Sequence, residues 1–261
     1  MLTIKEILEL KDQGKNREII AGVPRNELHY GNKEDDEKLL EVGWAHHQLG
    51  EYTNSLDIMW VLSDAYPPTS VIGESSLRGC AHGILQEEGN VERADALMKQ
   101  IPQSLVRDNV RMDIMTKAAR KGIKISALDI IFTISKALTQ IPLVTINGHV
   151  INNGCLALHE AREQEGVKPY LALLPGLIEI AIGIYEETSS TKNHLAGACY
   201  RGSLIFTAAG PSWYKGAELL ALASCGLWKE LIESQGVERF QRNLEGAEKQ
   251  LKEIQELLSK E

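Results

Sequence analysis

Residues 39–67 read LLEVGWAHHQLGEYTNSLDIMWVLSDAYP. Two amphipathic runs flank the turn Gly50-Glu51-Tyr52, and Pro67 closes the second run. Gly50 has no Cβ and so permits the left-handed backbone of a tight helix–helix turn. Gly43, in the middle of the first run, lets a neighbouring helix approach closely. Ser55 is the small residue where the two helices cross, and Tyr52, Met59 and Leu62 supply the packing between them. Proline has no amide hydrogen and cannot continue a helix, so the second run stops at Pro67. The stretch predicts one helical hairpin.

The same grammar extends in both directions. Residues 3–21 form a helix–glycine–helix about Gly14, ending at Gly22-Val23-Pro24, and the polar segment Asn26–Asp36 leads on with Asp35 or Asp36 as N-cap. After Pro67-Pro68, Ser75–Glu88 reads as a helix, Gly89-Asn90 as a turn and Val91–Ile101 as its partner, with Ala94 in the place of Ser55. Leu105–Lys121, Gly122 and Ser126–Thr139 follow, with Ala127 at the crossing and Pro142 at the close. The turn glycines 14, 50, 89 and 122 are spaced 36, 39 and 33 residues apart, with the small crossing residue in phase. This pattern resembles the tetratricopeptide repeat, a helix–turn–helix unit of about 34 residues. Leu39 stands where that family has a larger residue, His46 where it has Tyr, and Ser55 where it has Ala. The resemblance covers residues 3–140, and a looser form extends over 141–232. It implies an all-α, right-handed α-α superhelix of about six hairpins.

The second half uses longer hairpins. Val144–Gln164 is one helix; after Gly166 a second runs from Pro169 to Glu187, with Pro175 inside it to kink or restart it. The loop Thr188-Ser189-Ser190-Thr191 leads to His194–Ala209, Gly210-Pro211 and a helix from Trp213 to Ile232. Gly166 and Gly210 are 44 residues apart, as are Cys155 and Cys199. At the end, Val237, Phe240, Leu244, Ala247, Leu251, Ile254 and Leu258 form a narrow apolar seam on a charged helix. Such a helix caps the open end of a repeat array or pairs with its counterpart in a second chain, and Gly246 and Ala247 favour the cap. The chain thus divides into a regular array (1–140), divergent hairpins (141–234) and a terminal helix (235–261).

With 261 residues, a net charge of −8 and an isoelectric point near 5.5, the chain is a poor polyanion binder, and no nucleic-acid partner is expected. No run approaches the roughly 18 charge-free apolar residues of a membrane span, and the N-terminus lacks a signal peptide's apolar core. Cys80, Cys155, Cys199 and Cys225 lie far apart in apolar surroundings, as buried thiols of a reducing compartment do. A cytoplasmic protein is expected.

The resemblance also implies where function sits: the first helix of each hairpin lines a concave groove that takes an extended or helical peptide. Its positions fall on Leu40, Trp44 and His47, then on Ser76, Gly79, Gly83 and Gln86, then on Asn109, Met112 and Thr116. In the second half they fall on Asn153, Leu156 and Glu160 and on Tyr200 and Leu204, with His149 and Asn193 one turn earlier. Of these, Trp44, His47, Gln86, Asn109, Met112, His149, Asn153, Asn193 and Tyr200 carry side chains suited to holding a partner: amides that both donate and accept, and stiff aromatics. The family's Lys-Asn-Arg clamp for a C-terminal carboxylate is missing at its positions.

Enzyme readings are weaker. Cys155-x-x-x-His159 and the Cys80/His82 pair lack the further donors that zinc needs. His46 reads as a satisfied interior residue, and Glu160, Arg162 and Glu163 as a solvated face. No nucleophile elbow, phosphate loop, metalloprotease helix or dinucleotide fingerprint is present. The expectation is a non-catalytic protein- or peptide-binding scaffold without metal or cofactor. The alternatives are a small-ligand sensor or enzyme built around His149, Asn153, Asn193 and Arg201, or a self-assembling homo-oligomer.

Overall fold

The computed structural model describes residues 1–102, 104–188, 192–235 and 238–260. Among them it has thirteen α-helices and no strand, so the protein is all-α. The chain forms two compact units, Met1–Ile123 and Lys124–Glu261.

In the first unit, polar side chains start five of the seven α-helices, and glycines follow alternate ones. Thr3 and Glu6 form a capping box on α1 (Ile4–Asp12), which is followed by α2 (Asn16–Gly22) and a short 3-10 turn, Arg25–Glu27. Asn32 caps α3 (Lys33–Gln48). Asp35 and Asp36, the expected caps, instead lie inside the helix. Asp36 is buried there and accepts from the Tyr66 hydroxyl (2.7 Å) and the Gly31 amide (3.0 Å). After α4 (Tyr52–Ala65), Ser70 caps α5 (Val71–Glu87), which therefore begins four residues before the expected Ser75. Asn90 caps α6 (Val91–Gln100) and Ser104 caps α7 (Leu105–Arg120). Gly14, Gly50, Gly89 and Gly122 follow α1, α3, α5 and α7 with φ of +71°, +76°, +65° and +73°. All four turn glycines of the sequence therefore occupy the left-handed region that side chains disfavour.

Successive helices of this unit pack as hairpins, and every second helix also touches: α1 on α3, α3 on α5, α5 on α7. Met59 shows how closely. A Cβ built on Gly43 would stand 2.8 Å from its Cε, and one on Gly79 2.8 Å from its Cγ and Sδ. One α4 side chain thus fills the space that two glycines vacate on α3 and α5. Gly83 likewise faces Leu56, at 2.7 Å, so Gly79 and Gly83 serve helix packing and offer no backbone to a groove. Ser55 and Ala94, the crossing residues, are fully buried.

The second unit takes in α8 (Ala127–Thr139), which the sequence had grouped with the first half. α9 (Thr145–Glu160) stops four residues earlier than expected, and Gln164 turns back so that its side-chain oxygen accepts from the Ile125 amide (3.1 Å). Lys168–Leu173 is 3-10, and α10 (Leu174–Glu187) restarts with Pro175 in its first turn, one of the two outcomes the sequence allows. α11 (Lys192–Ala209), a 3-10 turn at Pro211–Trp213, α12 (Tyr214–Gln235) and α13 (Glu238–Leu258) complete it. Ser189, Ser190, Thr191 and Val237 lie outside the described residues. The stretch Lys168–Glu187 has the length and mean hydropathy (1.3) of a membrane span. Glu179 interrupts it, however, and Leu174, Ile178, Ala181 and Ile184 are buried inside the unit.

Here too alternate helices touch, α9 on α11 and α11 on α13. Gly154 admits Ile134 of α8 at 2.7 Å, and Gly202 admits Leu220 of α12 at 2.8 Å. Phe240, Leu244 and Ala247 of the α13 seam are buried in one cluster with Ala196, Cys225, Trp228 and Leu231. The terminal helix therefore spends its seam covering α11 and α12 of its own chain.

Candidate functional site

Because α3, α5 and α7 lie side by side, residues one turn apart on each align into rows across the three helices. Trp44 Nε1 donates to Ser75 Oγ (2.9 Å), and Arg78 lies over the Trp44 ring, its guanidinium carbon 5.8 Å from the centroid. The His47 ring stands 5.4 Å from Trp44 and 5.6 Å from His82. On α7, Lys117 donates to His82 Nδ1 (2.8 Å) and pairs with Asp113 (2.9 Å). With Nδ1 accepting, the ring proton of His82 sits on Nε2, which faces Asp113 at 3.4 Å.

Burial, aided by the Lys117 charge, lowers the basicity of both histidines, that of His47 to about 4. Both rings are neutral at pH 7, so Arg78, Lys117 and Asp113 leave the cluster with one net positive charge. Two nitrogens in it, His47 Nδ1 and Arg78 Nε, are buried without a hydrogen-bond partner. Such a group costs about 1–3 kcal/mol of stability. Toward the other end of α3 and α5 a cavity of about 430 Å³ opens. Ile4, Leu8, Leu40, Tyr66, Val71 and Ile72 line it, with Lys33, Glu37, Glu41 and Ser70 beside them.

The second unit carries a smaller cluster. The Tyr185 hydroxyl of α10 shares a hydrogen bond with His149 Nδ1 (2.8 Å), and the His149 ring packs edge-on against His194 at 4.4 Å. Arg201 donates to Asn153 Oδ1 (3.0 Å). Burial first, then His194 and Arg201, lower His149 to about 4.

The expected residues divide accordingly. Trp44 and His47 lie at the heart of the first cluster, and His149, Asn153 and Arg201 meet in the second. Asn109 is half-buried on α7 one turn before Asp113, while Gln86 is half-buried at the end of α5, where its carbonyl accepts from Lys121 (2.8 Å). Met112 is a core residue, 1% exposed, and Thr116 and Ser76 are buried as well. On α5 and α7 the open face runs through Arg78 and His82 and through Asp113 and Lys117. The expected phase was therefore one residue off, about 100° around a helix. Tyr200 packs against the apolar cluster under α13, and Asn193 is half-buried in the first turn of α11. His46 is tied to Glu51 (2.6 Å), as an interior histidine should be. Sequence reasoning missed Arg78, Asp113, Lys117, Tyr185 and His194 as site residues and met His82 only as a weak metal ligand. The four-residue spacings Arg78–His82 and Asp113–Lys117, on the first helices of hairpins, were the available signal.

All four cysteines are free and buried, and burial pushes the Cys80 thiol up to about 12. Among the described residues no group of three or more His, Cys, Asp or Glu side chains is arranged to hold a metal ion. Geometry and burial thus define a helical-hairpin protein with an aromatic, cationic face. Comparison with protein families, curated proteins and solved structures finds no match.

Proposed function

We propose that this chain is a non-catalytic scaffold of the tetratricopeptide kind, a right-handed array of helical hairpins that holds a protein or peptide on the face of its hairpin-first helices. The observation that carries this reading is the contact of α1 with α3, α3 with α5 and α5 with α7, with a row of aromatic and charged groups running across α3, α5 and α7. Packing residues need no such row: the core of the unit is aliphatic, and Trp44, Arg78 and Lys117 are only half-buried. Stiff aromatics and cations at the centre of a patch are the residues that dominate binding energy at protein interfaces. The acidic balance of the chain suits a protein partner better than a nucleic acid, and four free thiols suit the cytoplasm.

The test is crosslinking mass spectrometry of the gently purified chain beside its Trp44→Ala variant. A polypeptide crosslinked next to α3 and α5, and lost in the variant at unchanged melting temperature, supports the scaffold. A bound mass of a few hundred daltons in native mass spectrometry overturns it. That outcome belongs to the second reading, a small-ligand site in the second unit, which the meeting of His149, Asn153 and Arg201 with Tyr185 and His194 favours.

A further inference from the structure

The scaffold reading leaves open what kind of segment the first unit would hold, and the two buried nitrogens without partners narrow it. Arg78 Nε carries a hydrogen and has no lone pair to offer, so only an acceptor can satisfy it. His47 Nδ1 belongs to a ring whose centre stands 5.4 Å from that of Trp44, the indole that the Arg78 guanidinium overlies. Trp44 and Arg78 are half-buried, so part of each side chain is open to a ligand. Asp113, the cluster's own carboxylate, is engaged by Lys117 and faces His82. With Asp113 so engaged, the cluster keeps one net positive charge, and the Arg78 Nε hydrogen has no acceptor.

The cavity supplies the second half of the pattern. Leu40 and Trp44 are one turn apart on α3, and Val71 and Arg78 are two turns apart on α5. Two turns are about 10 Å, which an extended peptide spans in about three residues. We infer, resting on the scaffold reading, that the first unit recognises an extended peptide with a bulky apolar side chain in the cavity of Leu8, Leu40 and Ile72. A carboxylate about three residues further along would meet Arg78 and His47 beside Trp44. This is not the repeat family's C-terminal clamp, whose Lys and Asn positions are unfilled here. It uses one arginine, a neutral histidine and an indole.

The full chain is challenged with a display library of random peptides, and the enriched sequences are synthesised for fluorescence-anisotropy titration. The expected result is a shared pattern of a large apolar residue and a carboxylate about three positions apart. Changing that carboxylate to an amide weakens binding to the wild-type chain roughly tenfold, as for a charge-assisted hydrogen bond. The same change has no effect on Arg78→Gln, which has already lost the interaction. The peptide-side exchange needs no protein variant, so it decides the matter even if Arg78→Gln fails to fold. Amidating the peptide's C-terminus identifies the carboxylate: lost binding assigns the terminus, retained binding an Asp or Glu side chain. Enriched peptides without acidic preference, or an amide exchange without effect, overturn the inference and leave the scaffold standing. If no peptide is enriched at all, the scaffold reading falls and the inference with it.

Discussion

The two units build hairpins from different local chemistry. In Met1–Ile123 the first helix of each hairpin ends at a left-handed glycine, and capping side chains start five of the seven α-helices. In Lys124–Glu261 two of the reversals run through 3-10 turns with prolines in them, Lys168–Leu173 and Pro211–Trp213; Gly166 is not left-handed, and only Gly210, which follows α11, has a positive φ (+106°) among the described residues. The close helix approach is nevertheless the same, with Gly43 and Gly79 on Met59 in one unit and Gly154 on Ile134 and Gly202 on Leu220 in the other. The packing of small residues against large ones defines the hairpin, and the turn is an interchangeable fitting.

That contrast can be broken or sharpened by substitution, starting with the largest effect. A Cβ on Gly73 would collide with the carbonyl oxygen of Pro67 and lie 2.8 Å from that of Tyr66, neither of which can swing aside. Gly73→Ala should cost about 3 kcal/mol or more, read as a lower urea midpoint. A cost below about 1 kcal/mol would mean that the α4–α5 corner is free to move.

The next effect is pH. The folded-state pKa of His47 lies near 4, below the usual value near 6.5, so between these values the unfolded chain binds more protons. Stability is therefore complete above about pH 6.5 and falls as pH drops toward 4, by about 2–3 kcal/mol for this residue. The groups around it are His82, Lys117 and Asp113, and His82 shifts in the same direction. In thermal melts at pH 7 and pH 4.5, His47→Gln should show a smaller difference than wild type; an unchanged difference would place the acid sensitivity elsewhere.

Smaller still, Gly50→Ala places a side chain at φ +76° and should cost about 1–2 kcal/mol, whereas Gly166→Ala, with open space and no positive φ, should be close to neutral. Equal costs would erase the distinction between the two kinds of turn. Last, Gly183 lies within α10 with nothing within 4 Å of a built Cβ. Gly183→Ala should stabilise the second unit by about 0.5–1 kcal/mol, seen as a higher melting temperature.

Helix positions were legible wherever a residue's chemistry acts on its own backbone. The glycines at 14, 50, 89 and 122, the prolines at 67 and 175 and the small residues at 55 and 94 each restrict one place in the chain. The boundary at Ile123/Lys124 was not, because compactness is a sum over many contacts that no single residue announces. The site was half legible. Trp44, His47, His149, Asn153 and Arg201 stand out by type, but choosing between Met112 and Asp113 requires the helix's rotation to within one residue. Neighbouring helices set that rotation, and the sequence of α7 alone does not carry it.

The four buried thiols make each unit its own reporter. A buried thiol with a raised pKa reacts with a modifying reagent chiefly when its surroundings open. Cys80 therefore times the opening of the first unit, and Cys155, Cys199 and Cys225 that of the second, without a label being introduced. Peptide mapping after a timed pulse of alkylating reagent would yield two separate clocks from one tube.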